Sequence, residues 1–277
     1  MVKKAVLAAT VMAVVAACGS STDDDAAAEP TPDQTSAETS VEATTQPAEG
    51  TLCSEVGVAS DEPPPEESEG FDGITLYIVE QPVDDTLIVD AGVACVIAST
   101  VSGDVIVNDG EPSIAIVNPG GVVAGDMRAS GPGINAGLED REGTSDELDP
   151  PTLKGDLLCD ECGGAFAMPG TIEGGVDISG TPTGGQTEFN GATIGGDVSI
   201  VDSSGGGFVD DEPTGPLLAN SDVAGSVTLN GSFGRSPVLD GTTIGGDLSC
   251  EGNSPEPIGS DVTVEGTAPG QCEGFGG

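Results

Sequence analysis

Histidine and tryptophan are absent from this 277-residue chain, tyrosine occurs once, at Tyr77, and lysine and arginine together number six. Each shortage removes a class of function. Without histidine there is no imidazole to ligate zinc or to act as a general base. Six cations against 48 acidic side chains give a formal net charge of −42. Such a surface cannot grip phosphates, which excludes nucleic acid as a partner. The near absence of aromatic and bidentate arginine side chains leaves a polysaccharide groove without its usual platforms and clamps. Also missing is any apolar stripe of 3.6-residue period, and 44 glycines and 20 prolines would break a helical register.

What the chain does have is a recurring eight-residue phrase, Thr-Ile-x-Gly-Asp-Val-x-Ile. Copies begin at Thr100, Val122, Thr152, Thr171, Thr193, Asp222 and Thr243, at spacings of 19 to 30 residues. Self-similarity at that period is the signature of a solenoid. Val198 and Ile200 lie two apart and share one face of an extended strand, whereas Asp197 and Ser199 face the other way. A second apolar run separates the copies, as in Thr187-Glu188-Phe189, Pro237-Val238-Leu239 and Ile114-Ala115-Ile116-Val117. The pattern predicts an all-β chain, a parallel β-helix of about seven to eight coils spanning 51–277. A β-sandwich is the rival arrangement for short strands with turn signals, and recurrence of one phrase favours the solenoid. The two long intervals call for loops pushed out from the coil near 137–151 and 202–216, both polar, acidic and rich in turn formers.

Lys3 and Lys4 precede an apolar run from Ala5 to Ala17, shorter than the roughly 20 residues a transmembrane helix needs and suited to a signal-peptide core. The run ends Val15-Ala16-Ala17-Cys18-Gly19, which resembles the bacterial lipobox. That resemblance implies removal of 1–17, a diacylglyceryl group on the Cys18 thiol and acylation of the new amine, with palmitate-type chains. Two or more such chains hold a protein durably on a membrane. From 18 to about 50 the composition is Ala, Ser, Thr, Pro, Gln, Asp and Glu, which predicts a disordered tether able to stretch on the order of 100 Å. The expected location is extracytoplasmic, anchored to the cell membrane by lipid.

Six further cysteines suit an oxidising exterior: Cys53, Cys95, Cys159, Cys162, Cys250 and Cys272. Six permit fifteen pairings. Cys53 and Cys95 flank the start of the coils, and Cys250 and Cys272 flank the end, where crosslinked caps would cover exposed core and strand edges. Those two pairs are expected. Cys159-Asp160-Glu161-Cys162 is read as a local disulfide, because acidic neighbours oppose a reactive thiolate and a zinc site would need a second pair or histidines.

If coils stack in register, Asp104, Asp126 and Asp156 form an outward ladder about 4.8 Å apart, continued with gaps by Asp197 and Asp247. Carboxylates so close repel, and calcium is the one cofactor that such a ladder would suit. Gly175 and Ser226 interrupt it, however, and aspartate as a turn residue before each strand is the plainer reading.

The tail from Gly245-Gly246-Asp247-Leu248-Ser249-Cys250-Glu251-Gly252-Asn253-Ser254-Pro255 through Gly270-Gln271-Cys272 resembles the closing segment of a group of exported actinobacterial repeat proteins of unknown function. The resemblance implies a β-helix with a disulfide-closed end and carries over no catalytic residue. A fainter likeness to bactofilins concerns the coil type only, and capped ends argue against their end-to-end polymerisation. Left-handed β-helix acyltransferases are similar in periodicity, but they use a catalytic histidine that this chain lacks. The expectation is a non-enzymatic, membrane-anchored envelope lipoprotein that presents a rigid acidic solenoid to a cell-wall polymer or an envelope protein. A self-associating or calcium-dependent structural protein is the alternative, and a polysaccharide-acting β-helix enzyme the third reading.

Overall fold

The computed structural model describes residues 50–59, 75–108, 113–131, 134–139, 148–209 and 212–275. It is a parallel β-helix with three strands to a coil and three long sheets. Sheet A has nine strands, sheet B ten and sheet C eight. One coil runs from Gly170–Ile172 in sheet C to Val176–Ser179 in sheet A, then to Gln186–Asn190 in sheet B, and re-enters sheet C at Ala192–Ile194. The predicted fold class is thus observed. The repeated phrase, however, is not one strand: Thr193-Ile194 lies in sheet C and Val198-Ser199-Ile200 in sheet A, with the Gly-Gly-Asp between them turning the corner.

Coils stack in strict register, Val176 on Val198 on Val227 on Leu248, and Ile172 on Ile194 on Val223 on Ile244. Strand alternation then sends two apolar columns of sheet A and one of sheet C inward, and Val198, Ile200, Ile194 and Phe189 are all at most 1 % exposed. Sheet B supplies the variable part of the core. Alanines fill it on Gly164–Met168, whereas Phe189 fills it one coil later. Polar residues at the turn from sheet A to sheet B are buried and bonded between coils. The Thr181 N–H donates to Ser203 Oγ at 3.3 Å, and the Ser232 N–H to Asn253 Oδ1 at 3.0 Å.

Both ends carry a covering segment, although the last sheet B strand, Ile258–Ser260, stays exposed. At the first coil the short helix Cys53–Val56 lies over the core with Cys53 buried, and Val58–Ala59 pairs antiparallel with Leu76–Val79. At the last coil the tail folds back on sheet A: the Leu248 N–H donates to Thr267 O and the Gln271 N–H to Cys250 O. A Cys250–Cys272 disulfide fixes it there, with Cα atoms 5.4 Å apart. The Cys159–Cys162 disulfide also forms, buried in the corner between sheets A and B. Cys95 stands on Gly92–Val96 in register with Ile78. Its side chain, and with it the expected Cys53–Cys95 pairing, lies outside the described residues.

The two acidic excursions differ from their expected form. Gly137, Leu138 and Glu139 belong to the sheet B strand Asn135–Glu139, so that excursion starts beyond Glu139; residues 140–147 lie outside the described residues. The 202–216 segment is not simply pushed out. Ser203, Ser204 and Gly205 are buried at the turn from sheet A to sheet B, stacked on Thr181 of the previous coil, and Gly207 is buried against the outer face of sheet B. Cys18, the signal segment and the tether likewise lie outside the described residues. No helix among the described residues is long and apolar enough to cross a membrane.

Candidate functional site

The recurrent aspartates stand at the corner between sheets C and A, and the geometry there explains why the phrase reads Gly-Asp. Each aspartate turns one carboxylate oxygen, Oδ1, onto a backbone N–H of the following coil. Asp104 accepts from the Asp126 N–H at 2.9 Å, Asp126 from the Asp156 N–H at 2.9 Å, and Asp156 from the Gly175 N–H at 2.7 Å. Asp197 accepts from Ser226 and Asp247 from Thr267, both at 2.7 Å. At a corner the N–H groups leave the sheet ladder, so an acceptor from the previous coil satisfies them.

The preceding glycine follows from the same contact. A Cβ on Gly155 would stand 2.3 Å from Asp126 Oδ1, one on Gly174 2.4 Å from Asp156 Oδ1, and one on Gly225 2.4 Å from Asp197 Oδ1. The carboxylate of one coil occupies the space a side chain would need in the next. Glycine is present for close approach, because these positions do not require positive φ.

The aspartates stand at a turn before each sheet A strand, as expected, but their bonds run to the following coil rather than to local backbone. Asp104, Asp126 and Asp156 are brought together as predicted, but their Oδ1 atoms are committed to the backbone. Arg128 covers part of the remainder, contacting Asp126 Oδ2 and lying 3.7 Å from Asp104 Oδ2. Among the described residues no group of three or more His, Cys, Asp or Glu could hold a metal ion. Ser226 does not interrupt the ladder either. Its hydroxyl accepts from the Asp247 N–H at 3.2 Å, as a shorter aspartate would. Only Gly175, which has no side chain to offer Asp197, leaves a gap.

Asp247 shows the electrostatic consequence. The Thr267 backbone N–H, and then the Thr267 hydroxyl, hold its carboxyl below the usual range, although it is fully solvent-exposed. The deprotonated form is the better acceptor, so the corner carries its charges without strain.

Beside this corner, sheet C presents a groove that crosses three coils. Thr193, Asp222 and Thr243 form one outward column in register, Gly195, Ala224 and Gly245 line the floor, and Glu265 stands at one end. Small floor residues leave room, while hydroxyls and carboxylates supply donors and acceptors along the solenoid axis. The depression is open and its lining mainly apolar, with Thr193, Asp222, Thr243 and Glu265 as its polar side chains.

The buried acid is elsewhere. Glu188 points outward from sheet B between Phe166 and Leu217 of the adjacent coils, yet is only 7 % exposed. Gly207 lies directly over it: a Cβ there would stand 2.7 Å from Glu188 Oε2 and from Leu217 Cδ2. Burial raises the Glu188 carboxyl above its ordinary range, and the 3.4 Å hydrogen bond from Gln186 Nε2 only partly offsets this. Sequence reasoning missed Glu188 as a site. The available signal was a lone acid inside the apolar run Thr187-Glu188-Phe189. No known protein family, curated protein or solved structure matches the chain.

Proposed function

We propose that the chain is an exported lipoprotein, held on the outer side of the cell membrane through Cys18, that presents a rigid acidic β-solenoid as a non-enzymatic binding or scaffold module. The observation that carries this reading is the corner ladder: the repeated acids bond the next coil's backbone and stiffen a rod, rather than converging on a reaction centre. The covering segments at both ends favour a monomeric rod over a growing filament. The groove on sheet C is the surface offered to a partner, a wall polymer or an envelope protein.

A second reading is supported by the last coil. The sheet B strand Ile258–Ser260 is exposed along its length, with Ile258 56 % accessible, and such an edge favours association between copies. Crosslinking in intact cells followed by mass spectrometry separates the two, with a Cys18→Ala form as the unanchored control. A reproducible heterologous crosslink that requires the anchor supports the binding module. Crosslinks only between copies select the second reading, and an unchanged distribution of the Cys18→Ala form between membrane and medium overturns the anchor.

A further inference from the structure

We propose that the segment Gly205–Gly207, with Thr214 and Gly215 on its return, is a proton-controlled strap that closes over Glu188 when that carboxyl is protonated and lifts from the outer face of sheet B when it ionises. The strap is bonded to the coil at few points. The Ser204 N–H donates to Thr181 O at 2.8 Å, the Gly206 N–H to Gly185 O at 3.1 Å, and the Gly215 N–H to Ser236 O at 3.0 Å. Its two limbs are joined by the Thr214 N–H, which donates to Gly207 O at 2.9 Å. Between these points Gly207 rests on Glu188 and Leu217, and a side chain at 207 would have to displace the ends of both.

Among the described residues Glu188 forms no ion pair, and the cation closest to the strap in the fold, Arg235, meets it at Gly215 through its backbone oxygen. Along its own strand the neighbour on that face is Gln186, a neutral donor. The adjacent strands bring Phe166, Met168 and Leu217, none of which titrates. The nearest acids in neighbouring columns of sheet B are Glu139, in register with Met168, and Asp240, in register with Ala219. Both bear the same sign as an ionised Glu188. An ionised carboxylate under the strap is therefore desolvated without a counter-charge, and lifting the strap rehydrates it. Lifting also uncovers the outward apolar cluster of Leu217, Ala219 and Val238.

The sign follows from linkage. Because the closed state raises the carboxyl, it binds the proton more tightly than the open state does. Closure is favoured at low pH and weakens by up to about tenfold per pH unit between the ordinary carboxylate range and the raised value. Amide hydrogen exchange of the full chain, read by mass spectrometry with times scaled to the intrinsic rate at each pH, tests this. Protection of Gly206 and Gly215, whose amides bond the coil, should fall across that window in the wild type and stay at its acid level throughout in Glu188→Gln. The Gly215→Ala form, whose methyl would stand 2.5 Å from Arg235 O and 2.8 Å from Ser236 O of the next coil, should lack the Gly206 protection at every pH, and supplies the open reference. Amides of Val198–Val201 and Val227–Asn230 should remain protected in all three, which separates strap opening from unfolding. A flat wild-type profile, or the same slope in Glu188→Gln, overturns the proposal.

Discussion

Asp247 and Glu188 are both acidic side chains that point away from the core of one β-helix, and the fold shifts them in opposite directions. Asp247 stands in open solvent at the corner between sheets C and A and meets two donors on Thr267. Glu188 stands on the face of sheet B, beneath a strap, and meets only Gln186. The difference lies in what the backbone offers. Corner N–H groups leave the ladder and need acceptors, so charge there is stabilised. Groups in mid-strand are already paired, so a covered carboxylate finds no compensation. An acidic chain folds when most of its acids occupy the first kind of place or open solvent, and the exception is where motion is expected.

Substitutions of graded severity sharpen the contrast. The largest effect belongs to neither acid but to the residue beside one of them. Phe189→Ala empties the inward position next to Glu188 and should cost about 3–5 kcal/mol in a urea or thermal melt. Gly225→Ala places a methyl against Asp197 Oδ1 and Gly196 O, and about 1–3 kcal/mol is expected. Adding Asp197→Ala to it should cost less than the sum of the single changes, since the carboxylate is one of the two obstacles. Additive effects would mean that the Gly-Asp step is not a coupled unit.

Asp156→Ala removes one rung and should destabilise by about 1 kcal/mol, whereas Asp177→Ala, on the exposed face of sheet A, should stay within about 0.5 kcal/mol. Equal losses at the two sites would assign the corner no special role. The smallest effect is a titration. Asp247 should lose its proton below the ordinary carboxylate range, and Thr267→Ala should bring its midpoint part of the way back, as followed by NMR. A carboxyl lowered in the folded state adds stability above its unfolded value, and that stability is lost as pH falls through the folded one. Acid therefore weakens the Asp247–Thr267 bond while it closes the strap, and opposite pH trends at the two places are the clearest check on the comparison.

The recurring phrase made the solenoid legible, since identical residues can recur only where the environment recurs. Val198, Ile200 and the aspartates were assigned their faces by strand alternation alone. The role of Ser226 was less visible, because a hydroxyl and a carboxylate look dissimilar in sequence while both accept from the next coil. Glycine before each aspartate read as a turn former. Its cause is the close approach of the previous coil: a Cβ would stand 2.4 Å from Gly125 O at Gly155 and 2.9 Å from Gly174 O at Gly196, and at Gly155 the Asp126 carboxylate adds a second obstacle at 2.3 Å. The 202–216 excursion read as a solvated loop because its composition is polar, but half of its described part is buried.

Local pattern by itself determined the strand character, the inward columns, the closure of the last coil by Cys250 and Cys272, and the expectation of a parallel stack. Those features depend on side-chain period and composition, which a single strand already contains. Only the tertiary structure decided that the phrase spans two sheets and that its aspartates bond the following coil. Placing Glu188 under a strap also required it. Each of these depends on which coil lies next to which, and stacking brings together atoms from residues whose separation in the chain leaves no local trace.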